Sequence, residues 1–269
     1  KADLAVKQNQ TADAKYVVET QKKQITSDKT QKQQLLAITA NQEAEYKKVL
    51  AERQAKAAAL RAALFPLRDA AAIQFVDALN YAKEAQARTG VRPAFILAVL
   101  TQESNLGKNV GQCYLTNTIT GAGVGKNTGR TFTNVMKPSR DIQPFIDLGL
   151  RLGFDPIKQV VSCPQSSGYG GAMGPAQFIP STWSSYESRI ANVSGHSVPN
   201  PWSAEDAIIA MSLYLGDLGA GAGGYTAERT AAAKYYAGGY WATAGRTYAN
   251  SVMALAESIQ SNIDFLSNN

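Results

Sequence analysis

The sequence predicts a mainly α protein: a long helical coiled-coil arm over residues 1–66, then a helical globular domain over 67–269 with a short β element. Three observations predict it. Residues 1–64 contain neither Pro nor Gly and are rich in Ala, Gln and Lys, a composition of long helix or disorder. Beyond Pro66 the composition turns globular, and Trp183, Trp202 and Trp241 all fall there. Apolar residues in that part recur at helical spacing, without the strand–helix alternation that signals a parallel sheet.

In the arm, every seventh residue runs Leu4, Thr11, Val18, Ile25, Lys32, Thr39, Tyr46, Arg53, Leu60. The companion positions include Ala14, Leu35 and Val49, but also Gln21, Asp28 and Gln42. A seam so often interrupted by polar groups argues against a tight dimeric zipper. It suits one arm of a coiled coil whose partner arm lies upstream or on another chain; a floppy polar linker is the alternative. The arm carries 12 Lys and Arg against 7 Asp and Glu, most of the net charge of +6. Tyr16 and Tyr46 are its only aromatics before Phe65, so the basic excess lacks the interleaved aromatics of a nucleic-acid reader. No stretch is long and apolar enough to cross a bilayer. The chain opens on Lys1 without an apolar leader, which reads as a processed protein with its signal peptide or anchor elsewhere.

The globular elements follow in order. A helix over 67–88 places Ile73, Val76, Leu79 and Ala82 on one face and ends at Thr89-Gly90. A second, over 92–104, is almost wholly apolar through FILAVL. Residues 111–136 alternate Thr with apolar residues around a Gly-rich middle, as a short β-hairpin or ordered loop does. Helical spacing returns over 139–153 with Phe145, Ile146, Leu148, Leu150 and Leu152. GYGGAMGPAQFIPSTW (168–183) holds four glycines in seven residues, then Pro175 and Pro180, which marks a loop shaped for close approach. Ser203 caps the helix AEDAIIAMSLYLGDL, with Glu205 and Asp206 in its first turn. Thr226 caps another, and a last helix covers 247–266.

Chemistry concentrates at few places. Glu103 ends the apolar helix, where desolvation raises a carboxyl pKa and keeps a proton available for donation. Taken alone, such a Glu is more often a solvated surface group. Gln177 is a neutral amide among Met173, Phe178 and Ile179, suited to hydrogen bonding sugar amides or hydroxyls. Tyr235, Tyr236, Tyr240 and Trp241 gather around Gly238-Gly239, a cluster that serves as a stacking surface or as core. Two cysteines and one histidine are too few for a zinc site, and nothing calls for a cofactor. In an exported protein Cys113 and Cys163 would pair across about fifty residues; otherwise they are two free thiols.

Together these stretches carry a resemblance. ESNLGKNVG resembles the E-[ST]-x-x-G-[KR]-x-x-G stretch of lytic transglycosylases, most closely the membrane-bound lytic transglycosylase B family. GAMGPAQFIPSTW is similar to that family's GAMG-x-x-QF-x-PS-x-[YW] loop. KYYAGG and TYANSV resemble the YNAG region and the Tyr-containing helix that follows it in the wider group, and PWSAEDAI the W-[DS]-x-x-DAI helix start between. The resemblance spans about 90–260, in the right order. It implies a lysozyme-like α fold that cleaves the β-1,4 bond between N-acetylmuramic acid and N-acetylglucosamine in peptidoglycan glycan strands. Glu103 is then the sole catalytic acid/base, and the muramic acid C6 hydroxyl closes a 1,6-anhydro ring. Ser104, Tyr169, Met173, Gln177, Phe178, Tyr235, Tyr236 and Tyr248 fall at the implied substrate-contacting positions, Tyr248 near the acid.

Two positions depart from the pattern. Gly168-Tyr169-Gly170-Gly171 stands where the family often has Ser-Tyr-Ala-Gly, so the Ser that positions the Glu is missing there; Ser167 lies one residue earlier. Tyr236 stands where the group commonly has Asn. Three rival classes remain: a hydrolase using Asp141, Asp147, Asp155 or Glu187 as second carboxylate, a Cys/His peptidase using His196, and a non-catalytic wall binder. LLAITANQEAEYKKVL with LFPLRD resembles, loosely, the coiled-coil arms of septal cell-wall hydrolases governed by an ABC-transporter-like membrane complex. That implies an extracytoplasmic protein with a membrane partner.

Overall fold

A computed structural model describes residues 2–38, 48–49, 51–52, 55, 73–166 and 168–267. Most of the arm beyond Ile38, the boundary expected at Pro66, the first residues of the helix expected over 67–88, and Ser167 lie outside the described residues.

Helix α1 (Ala2–Ile38) follows from a run without helix breakers. Val18 and Ile25 of the seam are 49% and 66% exposed, so no described partner covers them. Asp13, off the seam, is buried and meets Arg229 at 2.6 Å.

Helix α2 (Phe75–Thr89) buries Phe75, Ala78, Ala82 and Ala85, and stops where Gly90, in the left-handed region, donates its N–H to the Gln86 carbonyl. The expected stripe is therefore turned: Val76 is exposed and Phe75 takes the core side. Helix α3 (Pro93–Ser104) starts on Pro93, which needs no N–H partner there, and buries every residue from Ala94 to Leu100. A helix apolar all round belongs at the centre, and each large side chain so buried contributes about 1.5–3 kcal/mol.

Strands β1 (Cys113–Leu115), β2 (Gly123–Gly125), β3 (Thr131–Phe132) and β4 (Val160–Val161) form an antiparallel sheet in the order β3-β2-β1-β4. Cys113 pairs with both Gly125 and Val161. The hairpin expected over 111–136 is thus a small sheet, with a fourth strand from further along the chain. Cys113 and Cys163 form a disulfide with Cα atoms 5.0 Å apart, 50 residues apart in sequence. A loop of that length confers about 4 kcal/mol in the chain-entropy view. Reduction is expected to lower Tm by roughly 10 °C, read by calorimetry with and without reductant.

A π turn (Pro138–Ile142) leads into α4 (Gln143–Leu152), which buries Phe145 and Leu148 while Leu150 faces solvent. The loop expected to run through 183 ends sooner. Pro180 opens α5 (Pro180–Ser194), again as a first-turn proline, and buried Asp141 accepts from the Ser181 N–H and hydroxyl at its start. Ser203 caps α6 (Ala204–Asp217) as expected. Helix α7 (Tyr225–Ala237) is preceded by Gly224 at φ 82°, so Thr226 lies inside it rather than at its cap. Helix α8 (Arg246–Ser267) completes the fold. Helix α3 lies against α8 and α2, α6 against α2 and α5, and α7 against α8. Among the described residues, no helix is long and apolar enough to cross a membrane.

Candidate active site

Helix α3 delivers Glu103 on its last turn. The chain then turns sharply: Asn105, Leu106 and Gly107 all have left-handed backbones, at φ 53°, 54° and 82°. For a residue with a Cβ this conformation costs about 1–2 kcal/mol, and it persists because neighbours lock it. The Asn105 N–H donates to the Thr101 carbonyl, the Asn109 N–H to Ser104, and the Leu106 carbonyl accepts from Ile73. A Cβ on Gly107 would lie 3.1 Å from Ile73 and 3.4 Å from Pro175, so the turn sits directly against the GAMGPAQF loop.

That loop is held equally closely. A Cβ on Gly174 would come within 1.8 Å of the Pro201 carbonyl, and φ is +60°. Gln177 is the third non-glycine at positive φ among the described residues; all three flank this site. Its amide donates to the Gly174 carbonyl at 2.7 Å, which fixes the side chain. Met173 and Phe178 bridge the loop's two sides, and Tyr235 on α7 donates its hydroxyl to the Ala176 carbonyl at 2.9 Å.

Tyr248, on the first turn of α8, donates its hydroxyl to Glu103 Oε1. Three residues on, Ser251 Oγ lies 3.0 Å from Gln102 Oε1, so α8 grips both sides of the α3 terminus. The Tyr248 ring stacks on Tyr236 at 4.8 Å and 14°, and lies parallel to Tyr235 at 6.4 Å and 11°. Burial pushes the Glu103 carboxyl above its ordinary range, opposed by the Tyr248 hydroxyl; among the described residues no second carboxylate contributes. Burial and the nearby Glu103 also push the Tyr248 and Tyr235 phenols up, so both remain protonated donors.

The structure thus gathers Glu103, Gln177, Tyr235, Tyr236 and Tyr248 around one place. Tyr169 is 48% exposed on the glycine loop. Three of the expected sugar contacts lie buried. Ser104 is buried, its hydroxyl bonded to the Leu100 carbonyl and the Gly107 N–H, so it closes the turn. Met173 and Phe178 are buried in the core, Phe178 edge-on to Trp183. Both anchor the loop from its inner side.

Groups that two of the rival chemistries would use have other partners. Cys113 and Cys163 are bonded to each other, so neither is a thiolate nucleophile. His196 Nδ1 lies 2.8 Å from buried Asp206, which also accepts from the Asn200 N–H, so this pair ties the turn before α6 to that helix. Asp141, Asp155 and Glu187 are ion-paired with Arg140, Lys158 and Arg151, and Asp147 accepts from Gln143.

A carboxyl raised by burial at a helix end, with a tyrosine hydroxyl bonded to it, can donate a proton. The chain belongs to the transglycosylase SLT domain family, whose sequence model matches residues 3–247. It is accordingly an enzyme, a lytic transglycosylase of peptidoglycan. Among curated proteins, none matches the chain. Two solved structures resemble it. One is a 36 kDa muramidase/transglycosylase, 17% identical, with TM-score 0.44 over 68% of this chain and 73% of the other. The other is the Escherichia coli lytic transglycosylase Slt35 in complex with bulgecin A, 16% identical, with TM-score 0.46 over 70% and 71%.

Proposed function

We propose that the enzyme cleaves the β-1,4 bond between N-acetylmuramic acid and N-acetylglucosamine without water, leaving 1,6-anhydro ends. The observation that carries this is Glu103 at the end of α3, its carboxyl raised by burial and bonded by the Tyr248 hydroxyl, with no second carboxylate hydrogen-bonded to it among the described residues. Protonated Glu103 donates to the glycosidic oxygen as the C1–oxygen bond breaks. The muramic acid C6 oxygen then bonds to C1, and its proton passes to the Glu103 carboxylate, which restores the acid. The nucleophile comes from the sugar, so one carboxyl serves both steps. Tyr248 holds the carboxyl through its hydroxyl, and Gln177 offers its amide to the glycan. Mass analysis of muropeptides released from purified peptidoglycan tests this. Anhydro products are lighter by one water than reducing ends; reducing ends alone would refute the mechanism.

Replacing Tyr248 with Phe removes the hydrogen bond that lowers the Glu103 pKa. The acid then keeps its proton to higher pH, so the alkaline limb of the kcat/KM profile is expected to move up. An unmoved limb would detach Tyr248 from the catalyst.

The reading extends to an exported enzyme acting outside the cytoplasm, with which the disulfide agrees. It extends also to an arm that docks a membrane partner and restrains the site. The buried Asp13–Arg229 pair supports the restraint, because Arg229 Nε also donates to Asn250, two residues beyond Tyr248. An Asp13→Asn chain that cleaves peptidoglycan no faster than its parent would rule it out.

A further inference from the structure

Between Gly168 and Ala172 the glycine loop carries one large side chain, Tyr169. Gly168 and Gly171 sit in the left-handed region, at φ 89° and 90°. A run of glycines has no single conformation of its own, so bonds from outside must set it. The sheet supplies them from two sides. Ser162, which follows β4, donates its N–H to the Ala172 carbonyl at 2.8 Å and accepts from the Gly171 N–H at 3.0 Å. Its hydroxyl also accepts from the Ala172 N–H at 2.9 Å. A Cβ on Gly170 would lie 2.3 Å from the Ser162 carbonyl oxygen, so a side chain has no room there. From the other side comes Asn134, two residues beyond β3. Its carbonyl accepts from the Gly170 N–H at 3.2 Å, and its side-chain amide donates to the Gly168 carbonyl. Asn134 thus bonds to both neighbours of Tyr169.

We propose that Asn134 is a positioning residue for the glycan, acting through the loop that carries Tyr169. This rests on the reading of the site as a glycan-cleaving one, with Tyr169 against the strand. Tyr169 is 48% exposed, and among the described residues no hydrogen bond or ring contact fixes its side chain. Its place is therefore set by the backbone at Gly168 and Gly170. A Cβ on Gly168 would meet nothing within 4 Å, so packing does not hold that end. The Asn134 amide does. A loop fixed before the strand arrives spares the ordering cost of binding. Glu103 and Tyr248 lie on α3 and α8, outside these bonds, so the chemical step keeps its pH dependence.

The test uses the full chain and purified, soluble glycan strands. Asn134→Asp keeps the side chain's shape but turns an acceptor toward the Gly168 carbonyl; Asn134→Ala removes the donor without adding charge. Both are expected to raise KM about threefold to tenfold, the scale of one hydrogen bond. The kcat and both limbs of the pH profile should stay as in the parent. Tyr169→Ala should raise KM as well, and adding Asn134→Asp to it should add little, because the two act through one contact. Parental KM in both Asn134 variants overturns the proposal, and with a lowered Tm it would make the bond purely structural. A loss confined to kcat overturns it, and so does a full additional loss in the Tyr169→Ala background. Failure of the underlying reading shows separately, as no cleavage of the strands by the parent, and it overturns both.

Discussion

Replacing Glu103 with Gln is expected to lower kcat on purified peptidoglycan by about a thousandfold, the scale of a general acid/base contribution. Gln keeps the shape of the side chain and removes the proton that leaves and returns. KM should change little, because the substitution removes an interaction made in the transition state. The same substitution is expected to stabilise the protein at neutral pH. Burial raises the folded-state pKa of Glu103 above its unfolded value. Stability from that shift is complete below the ordinary carboxyl pKa and is lost as pH rises through the raised folded value. Gln carries no such loss. Denaturant midpoints of the two proteins should therefore coincide in acid and separate, with Gln the more stable, as pH rises. A Glu103→Gln enzyme with parental turnover would remove the assigned catalyst; one with no gain at neutral pH would show that the carboxyl is not dry.

Replacing Arg92 with Ala is expected to destabilise the fold by about 3 kcal/mol, read as a lower denaturant midpoint. Arg92 precedes α3 and makes a bidentate pair with Glu228 on α7, through Nε at 2.9 Å and Nη2 at 2.6 Å, with Gln260 of α8 on its remaining nitrogen. Glu228 is only 2% exposed, so losing Arg92 strands a charge in the core. Replacing both residues, as Arg92→Met with Glu228→Leu, should cost much less, since the stranded charge goes too. Equal losses in the single and double variants would show that packing, not charge, is at stake there. The pair matters for function through geometry. Glu103 sits at the other end of the helix that Arg92 anchors.

Much of the site was legible before any fold was drawn, for identifiable reasons. FILAVL followed by Glu103 states that a buried helix ends in an acid, because only a central helix is apolar all round. The Gly174 spacing stated a close approach, and the Pro201 carbonyl is what approaches. Less legible was which side of each motif faces the glycan. Ser104, Met173 and Phe178 carry the same local signals as Gln177, and burial separates them only after the loop is folded back on Trp183 and Tyr214. The α2 stripe was misplaced by one residue for a similar reason: alanines that pack closely read as neutral in sequence, while Val76 reads as core. Strand β4 is two residues long, too short for any period to show, and pairs with β1 next to the Cys113–Cys163 disulfide.

By itself, then, the sequence determined the helical class, because periodicity is a local property; Glu103 and the glycine loop take their proposed chemistry from the resemblance of their motifs to the family. Only the tertiary structure decided what holds that acid and what is left open beside it. Tyr248 reaches Glu103 across 145 positions, and Arg229 reaches Asp13 across 216. Contacts between residues so far apart depend on how helices pack, and side chains of either sign or polarity could have met there. The same packing leaves Tyr236 bare on one face.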